Sequence, residues 1–200
     1  MNLDLVEKIA DAVLYEGYIL YPYRASAVKN RQRFNWGVLA PQTYSEAQFG
    51  TERWQTQTEV LISGDENTKI DLKLRFLHLR EREVYQVDEP TSELRPVGFL
   101  EVGGQIFQTW QEAVERETDV FNLDVKALAE QPQKFKFSFP ANHEIEPLCD
   151  ENQKTTGAII RKQQSLEGEI EAQSSKLKAQ SSKLKIRIQI NRSRFQCNRV

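Results

Sequence analysis

The chain has 200 residues, of which 39% are hydrophobic, and this is enough to bury one core without a metal or a disulfide. Its 27 basic residues are balanced by 29 acidic ones, which gives a formal net charge of −2. The overall charge therefore does not point to nucleic acid or to an acidic substrate, and any such interaction has to come from a local cluster of charge.

Cysteine usage and the N-terminal residues predict a cytoplasmic protein. Only two cysteines occur, Cys149 and Cys197, and they lack the dense spacing of a secreted disulfide scaffold. Asp4, Glu7 and Asp11 lie where a signal peptide needs a basic leader and an apolar run. No stretch approaches the roughly 18 apolar residues of a membrane span, so we expect no membrane insertion.

Residues 3–15 carry the pattern of an amphipathic helix. Apolar pairs recur four residues apart, at Leu5 and Val6, Ile9 and Ala10, and Val13 and Leu14. Asp4 and Glu7 lie in the first turns, where the helix dipole favours negative charge. We therefore predict a helix at the N-terminus.

After this helix the apolar period changes to two, which is typical of half-buried strands. The alternation is clearest in residues 69–79, 134–139, 166–172 and 184–190. Gly103 and Gly104 in VGFLEVGGQIFQTW can adopt the positive φ angles of a tight turn, so this stretch predicts a β-hairpin. The pattern as a whole predicts a mainly β (α+β) fold, an antiparallel β-sandwich-like body with an N-terminal amphipathic helix.

The heptapeptide AQSSKLK occurs twice in tandem, at residues 172–178 and 179–185. Two copies are too few for a coiled coil, although Leu177 and Leu184 are seven residues apart. We interpret residues 172–185 as a lengthened hairpin loop, because a longer loop costs little extra entropy. The predicted organisation is a mainly β domain over residues 1–171, this loop, and a strand with an irregular, truncated end over residues 186–200.

The segment YEGYILYPYRASAVKNRQRF, residues 15–34, is the best candidate binding site. It combines tyrosines with four cations, and no acid occurs between Gly17 and Tyr44. Guanidinium groups bind carboxylates bidentately, and tyrosines offer flat apolar faces with a polar tip. The candidate binding residues are Tyr15, Glu16, Tyr18, Tyr21, Tyr23, Arg24, Lys29, Asn30, Arg31 and Arg33. The alternative is a structural corner, in which Glu16 pairs with an arginine and the tyrosines fill the junction of helix and sheet.

The same region resembles an uncharacterised bacterial protein family whose members are often encoded near nickel-iron hydrogenase genes. The matching residues are Asp11, Leu14, Tyr15, Glu16, Gly17, Tyr18, Leu20, Tyr21, Pro22, Tyr23, Arg24, Lys29, Asn30, Arg33 and Gly37. The resemblance continues with lower specificity through LHLREREV, WQEAVERE and the paired strands near the C-terminus. Members of the family are longer, so the resemblance implies an N-terminal portion with a repeat insertion. It implies no catalytic residue, because none is established for the family.

A second hypothesis comes from the basic residues near the C-terminus. From Ala172 onward the chain has no acid and eight cations, at Lys176, Lys178, Lys183, Lys185, Arg187, Arg192, Arg194 and Arg199. Phosphate backbones would attract such a run, with a steep dependence on salt. Apart from Phe195 it lacks interleaved aromatic residues, so a solvated strand face is the simpler interpretation and nucleic acid is the less favoured partner.

Metal and catalytic chemistry find little support in the sequence. His78, His143, Cys149 and Cys197 have no spacing typical of a zinc site. Cys149 and His143, six residues apart, are the one candidate pair of nucleophile and base. The carboxylates Glu81, Glu83 and Glu101 lie on strand-like segments and are more typical of exposed faces than of an acid and base pair, and no phosphate loop, nucleophile elbow or HExxH motif occurs.

These patterns favour a non-catalytic accessory or interaction protein without a cofactor or metal. Its predicted partner is a protein with an acidic surface or a carboxylate, which through the family resemblance would be a hydrogenase component. The alternatives are a nucleic-acid-binding module that uses the C-terminal cations and a truncated gene product without a present function.

Overall fold

The structure is a computed structural model, and it describes residues 3–16, 38–64, 67–89, 91–178 and 181–193. Strands dominate these residues, which confirms the predicted mainly β fold. The described helices are α1 (Leu3–Glu16), α2 (Gln42–Ala47) and α3 (Val125–Glu130). The described strands are β1 (Gln55–Ser63), β2 (Lys69–Asp88), β3 (Glu93–Val97), β4 (Phe99–Val102), β5 (Gln105–Gln108), β6 (Trp110–Asp124), β7 (Gln133–Phe139), β8 (Asn142–Cys149), β9 (Thr155–Gln163), β10 (Leu166–Lys178) and β11 (Ser181–Ser193).

The strands form two larger sheets and one small one. The first sheet has the order β1-β11-β10-β7, and the second has the order β3-β2-β9-β8 with β6 also paired to β2. β4 and β5 form a two-stranded sheet of their own. The pairs β1 with β11, β2 with β3, β2 with β9, β8 with β9, and β4 with β5 are all antiparallel, as predicted.

Helix α1 confirms the predicted N-terminal helix, but its apolar stripe contributes little to the core. The side chains of Leu5, Ile9 and Val13 are all more than half exposed. A carboxylate oxygen of Asp11 lies 2.7 Å from a guanidinium nitrogen of Arg75 in β2. An ion pair therefore links this helix to β2.

The chain divides into two compact units, and the first takes its residues from 1–76, 117–137 and 168–191. Its core includes the buried side chains of Val120, Leu128, Ile170 and Ile186. The rings of Phe76 in β2 and Phe137 in β7 lie 5.9 Å apart between centroids. These two strands belong to different sheets, so this aromatic pair joins side chains of both sheets within the first unit.

The second unit takes its residues from 77–116, 138–167 and 192–200. Its core centres on Val84, Leu148 and Ile159, which come from β2, β8 and β9. The partly buried side chains that pack against this centre are those of Val97, Leu100, Val102 and Phe107. Three of these four lie on β4 and β5, so the small hairpin is part of the core of this unit.

The prediction of a loop over residues 172–185 is wrong. β10 continues to Lys178 and β11 begins at Ser181, so the first heptapeptide and residues 181–185 of the second lie in two neighbouring strands. Ala172 and Ser174 are buried in the first copy, whereas Leu184 is buried in the second. The predicted boundaries at 171 and 186 consequently fall inside strands, because the alternating pattern continues through the repeat.

Helices α2 and α3 were not predicted, because each has only six residues and too few turns to show a period of 3.6. A local signal exists for α3. The carboxylate of Asp124 accepts hydrogen bonds from the backbone N–H groups of Lys126 (2.9 Å) and Ala127 (3.2 Å). Asp124 is thus an N-cap of the preferred chemistry, and it lets the chain turn from β6 into a helix that buries Leu128.

Candidate functional site

The predicted binding segment falls almost entirely outside the described residues. Tyr15 and Glu16 end α1, but nothing is described of their side chains. Tyr18, Tyr21, Tyr23, Arg24, Lys29, Asn30, Arg31 and Arg33 lie in residues 17–37, which are not described. The anion-binding hypothesis for this segment therefore stays a prediction.

The β4–β5 hairpin is the most distinctive surface in the described part of the second unit. Gly103 and Gly104 have φ angles of 58° and 76°, which matches the predicted two-residue turn. The ladder runs from Phe99 opposite Gln108 to Val102 opposite Gln105. Because opposite residues share a face, Leu100 and Phe107 lie together on the inner face of the hairpin, against the core of the unit.

The outer face of the hairpin also carries large apolar side chains, beside Glu101 and Gln108. Phe99 is 65% exposed and Ile106 is 58% exposed, and the ladder places both on the face opposite Leu100. Trp110, which follows the hairpin, is 58% exposed. An aromatic and aliphatic surface is thus presented to solvent by an element whose other face is buried. We call Phe99 and Ile106 the hairpin surface.

Hydrogen bonds hold the base of the hairpin in place. The Thr109 hydroxyl donates to the Val97 carbonyl (2.9 Å) and accepts from the Val84 backbone N–H (2.9 Å). The Thr109 N–H donates to the Gly98 carbonyl (2.9 Å). The hairpin surface is therefore anchored at its base as well as along its inner face, and little conformational entropy would be lost when a partner covers it.

A half-buried cluster of charges occupies the second sheet. The Glu112 carboxylate contacts three guanidinium groups, those of Arg80 (2.7 Å), Arg161 (3.3 Å) and Arg82 (3.5 Å). Burial by itself raises the pKa of Glu112, but the hydrogen bond from Arg80 and the three positive charges outweigh burial and lower the pKa below its usual value. Glu112 is therefore held ionised as an ion-pair centre, unlike a general acid, whose pKa has to be raised.

We expect Glu112→Gln to lower the free energy of unfolding by about 2 kcal/mol, because three half-buried guanidinium groups lose their shared counter-charge. Urea unfolding monitored by circular dichroism measures this change. The matched control is Glu144→Gln, which removes a 49% exposed carboxylate at 3.4 Å from Arg80 and should cost less than about 0.5 kcal/mol. Equal effects of the two substitutions would show that Glu112 is not the centre of the cluster.

The structure shows the surroundings of the three carboxylates that the sequence analysis considered for catalysis. Glu83 lies 2.6 Å from the Lys162 ammonium and accepts a hydrogen bond from the Tyr85 hydroxyl (2.9 Å). The hydrogen bond from Lys162 is the main reason why the pKa of Glu83 is lowered. Glu81 is exposed in β2, and Glu101 is exposed on the outer face of the hairpin. Glu83 thus acts as an ion-pair partner of Lys162.

His78 is a buried strand residue with a neutral ring. The Gln163 amide and His78 Nδ1 are 2.8 Å apart, which fits donation by the amide N–H to an unprotonated ring nitrogen. Burial, followed by the positive charge of Arg116, lowers the pKa of His78 to about 4. The structure therefore gives this histidine a core position in the second unit.

The pairing of Cys149 with His143 is wrong as a catalytic hypothesis. Both lie in β8, with His143 near its start and Cys149 at its end. Six residues of strand separate two side chains by about 20 Å. Among the residues that the structure describes, no group of three or more His, Cys, Asp or Glu side chains could hold a metal ion.

Part of the basic run near the C-terminus is engaged in ion pairs. Lys183 pairs with Glu59 of β1, and Arg187 pairs with Glu171 of β10 at 3.2 Å. These two acids neutralise two of the cations that the nucleic-acid hypothesis assigns to phosphate binding. The side chains of Lys176, Lys178, Arg192, Arg194 and Arg199 lie outside the described residues, so the nucleic-acid alternative stays a prediction.

Comparison with known proteins finds no protein family, curated protein or solved structure that matches this chain. Within the described ranges, no helix combines the length and the apolar character needed to cross a membrane. The chain is therefore described by its own geometry: a mainly β protein with an anchored hairpin that exposes Phe99 and Ile106.

Proposed function

We propose that this chain is a non-catalytic interaction protein that binds a partner protein through the hairpin surface. The observation that carries the proposal is the pair of large apolar side chains, Phe99 and Ile106, on the outer face of a hairpin whose inner face is fixed in the core. Exposed apolar clusters mark interaction sites, and aromatic residues contribute much of the energy of protein interfaces. The short outer face fits a partner with a small apolar depression.

The identity of the partner follows from the family resemblance and belongs to the same proposal. We take it to be a cytoplasmic hydrogenase component with an acidic surface. In this proposal the tyrosine and arginine segment adds a second contact, in which Arg24 and Arg33 bind carboxylates of the partner while the hairpin surface supplies the apolar contact. The substitutions Arg24→Glu and Arg33→Glu test the contact made by the tyrosine and arginine segment, because they leave the hairpin surface unchanged.

We expect a photo-crosslinking amino acid at Phe99 to capture one defined protein in cells, and the product to disappear when Ile106→Glu is added. A glutamate at position 106 would be buried without a counter-charge when the partner binds, so it should prevent the apolar contact. In the unbound protein the same glutamate is exposed to solvent and should not disturb folding. Mass spectrometry of the crosslinked band identifies the partner and shows whether it is a hydrogenase component.

Phe121 provides a matched control for this experiment, because it is 64% exposed, as Phe99 is 65% exposed, but lies in the first unit. A crosslinker at Phe121 should capture nothing specific. The same product from Phe99 and Phe121, or no specific product from Phe99, would contradict the proposal. Thermal unfolding of each variant establishes that the fold is kept.

A further inference from the structure

The edge strands of the two larger sheets differ in how their free edges are protected. A free edge exposes unpaired backbone N–H and C=O groups, and proteins protect such edges with proline, lysine, bulges or short strands. β7 carries Lys134 and Lys136 and lies between Pro132 and Pro140. β8 contains Pro147 and an irregular register at its end, and β3 has only five residues, one of them Pro96.

β1 has none of these devices. Its nine residues, QTQTEVLIS, contain no proline, no lysine and no arginine, and its one charge, Glu59, pairs with Lys183. Its register against β11 is continuous from Gln55 opposite Gln189 to Ser63 opposite Ser181. In the described part of the chain β1 is thus a long, regular and unprotected edge strand at the end of the first sheet.

The backbone groups that point out of this edge can be assigned. The Ile190 N–H donates to the carbonyl of Trp54 (2.9 Å), the residue before β1 and opposite Ile190 in the continued register. In an antiparallel pair, opposite residues alternate between exchanging hydrogen bonds and not exchanging them. The even-numbered residues of β1 therefore bond to β11. The odd-numbered ones direct their N–H and C=O groups outward, and these are Gln55, Gln57, Glu59, Leu61 and Ser63.

The side chains of β1 also leave apolar surface uncovered. Leu184 and Ile186 are buried in β11, and they lie opposite Val60 and Thr58 on the same face. Val60 is 48% exposed on this face, and Leu61 is 76% exposed on the opposite face. The buried face of the sheet thus extends onto β1, where side chains of a further strand would contact Val60.

The chemistry of β1 is complementary to a second copy of itself. A two-fold axis at Val60 places Glu59 opposite Leu61 of the second copy and Gln57 opposite Ser63 of the second copy. The outward-pointing odd residues then form hydrogen-bonded pairs, with about eight new hydrogen bonds in all. No like charges lie directly opposite each other in this register, whereas an axis at Glu59 would place two carboxylates directly opposite each other. On the other face, Thr58, Val60 and Ile62 meet the β-branched side chains of the second copy, which favours sheet pairing.

We propose that this protein forms a two-fold symmetric dimer by antiparallel pairing of β1 with β1 of a second copy, with Val60 at the axis. The two four-stranded sheets then join into one continuous sheet. The dimer uses the first unit alone and is independent of the hairpin surface, so either proposal can fail without the other.

Sedimentation velocity on the 200-residue chain over a range of concentrations tests the dimer, and two substitutions at Leu61 test its register. In the proposed register, residue 61 faces Glu59 of the second copy. We therefore expect Leu61→Glu to weaken dimerisation about tenfold or more through two repulsive pairs, and Leu61→Lys to keep or strengthen it through two attractive pairs. Weakening of the same size by both substitutions would overturn the register, and a monomeric wild-type chain at all concentrations would overturn the dimer.

Proline substitutions provide an independent pair of variants. Gln57→Pro removes only an outward N–H and should abolish the dimer while circular dichroism shows a folded monomer. Thr58→Pro removes an N–H that bonds β11 and should destabilise the monomer itself. A Val60→Cys variant in a Cys149→Ser and Cys197→Ser background should form a disulfide across the axis, because opposite non-bonded residues lie about 4.5 Å apart between Cα atoms. A dimer that survives Gln57→Pro and forms no such disulfide would overturn the proposal.

Discussion

We expect Gly157→Ala to lower the free energy of unfolding by about 3 kcal/mol or more, the magnitude of overpacking in a rigid core. Gly157 is buried in β9 opposite Gln86 of β2. A Cβ at this position would overlap the backbone carbonyl oxygen of Tyr85 and a methyl group of Leu100. The carbonyl cannot move without breaking the ladder of β2 and β9, and Leu100 cannot move without lifting the hairpin from the core.

Urea unfolding measures this loss, and Gly98→Ala is the matched control. Gly98 lies next to the hairpin, has no heavy atom within 4 Å of the place a Cβ would take, and has no positive φ. Its replacement should leave the free energy of unfolding within about 0.5 kcal/mol of the wild type. If Gly157→Ala is tolerated as well as Gly98→Ala, the close approach of β9, β2 and the hairpin is wrong. The same variant should reduce crosslinking from Phe99, because the hairpin surface depends on that approach.

We expect acid to destabilise the second unit through His78. Burial and the charge of Arg116 lower the pKa of His78 to about 4 in the folded chain, against 6.5 for an unperturbed histidine. Above pH 6.5 the ring is neutral in both states. As the pH falls from 6.5 to 4, the unfolded chain binds a proton that the folded chain does not. The free energy of unfolding should therefore fall by about 2 kcal/mol between pH 7.5 and 5, and by about 3 kcal/mol by pH 4.

Unfolding curves at several pH values, recorded for the wild type and for His78→Gln, isolate this contribution. The variant lacks the titrating ring, so its free energy of unfolding should fall less over the same interval, and the difference between the two proteins gives the share of His78. The other histidine of the chain, His143, is exposed in β8, and His143→Gln controls for the loss of a histidine side chain, because it should change the free energy of unfolding at pH 7.5 by less than about 0.5 kcal/mol. An unchanged pH dependence in His78→Gln would mean that His78 does not stay neutral in the folded chain.

The elements with a strong local signal were predictable from the sequence. Alternation in residues 69–79 and 134–139 identified β2 and β7, the apolar pairs identified α1, and Gly103 with Gly104 identified the hairpin turn. Each of these signals is contained within a few residues. The turn needs only residues that tolerate positive φ, and a strand needs only a side-chain period of two.

The exposed apolar residues of the hairpin are present in the sequence, but the sequence does not identify them as exposed. In VGFLEVGGQIFQTW both alternating sets carry large apolar residues, Phe99 and Ile106 in one and Leu100 and Phe107 in the other. The sequence does not show which set is buried. That choice depends on Val84, Leu148 and Ile159, which approach from strands distant in the chain and cover Leu100 and Phe107.

The ion-pair cluster around Glu112 in the second unit likewise could not be predicted from local sequence patterns. Arg80, Glu112 and Arg161 are separated by at least 30 residues each, and they meet because β2 pairs with both β6 and β9. Alternation identifies the strands that carry them, but strand order is a property of the whole sheet. Glu112 therefore has no local signal that distinguishes it from an exposed carboxylate.

The tandem heptapeptide shows which features of the fold the sequence determines and which depend on the tertiary structure. The sequence by itself determined that AQSSKLK occurs twice, that an apolar period of two continues on both sides, and that the chain builds a mainly β body behind a helix. Only the tertiary structure decided that the first copy and residues 181–185 of the second are strand, and which side of each is buried. The first copy buries its alanine and first serine, Ala172 and Ser174, and the second buries its leucine, Leu184. The copies lie on two neighbouring strands, so the register between these strands, which is a property of the whole sheet, decides which positions of each copy face the core.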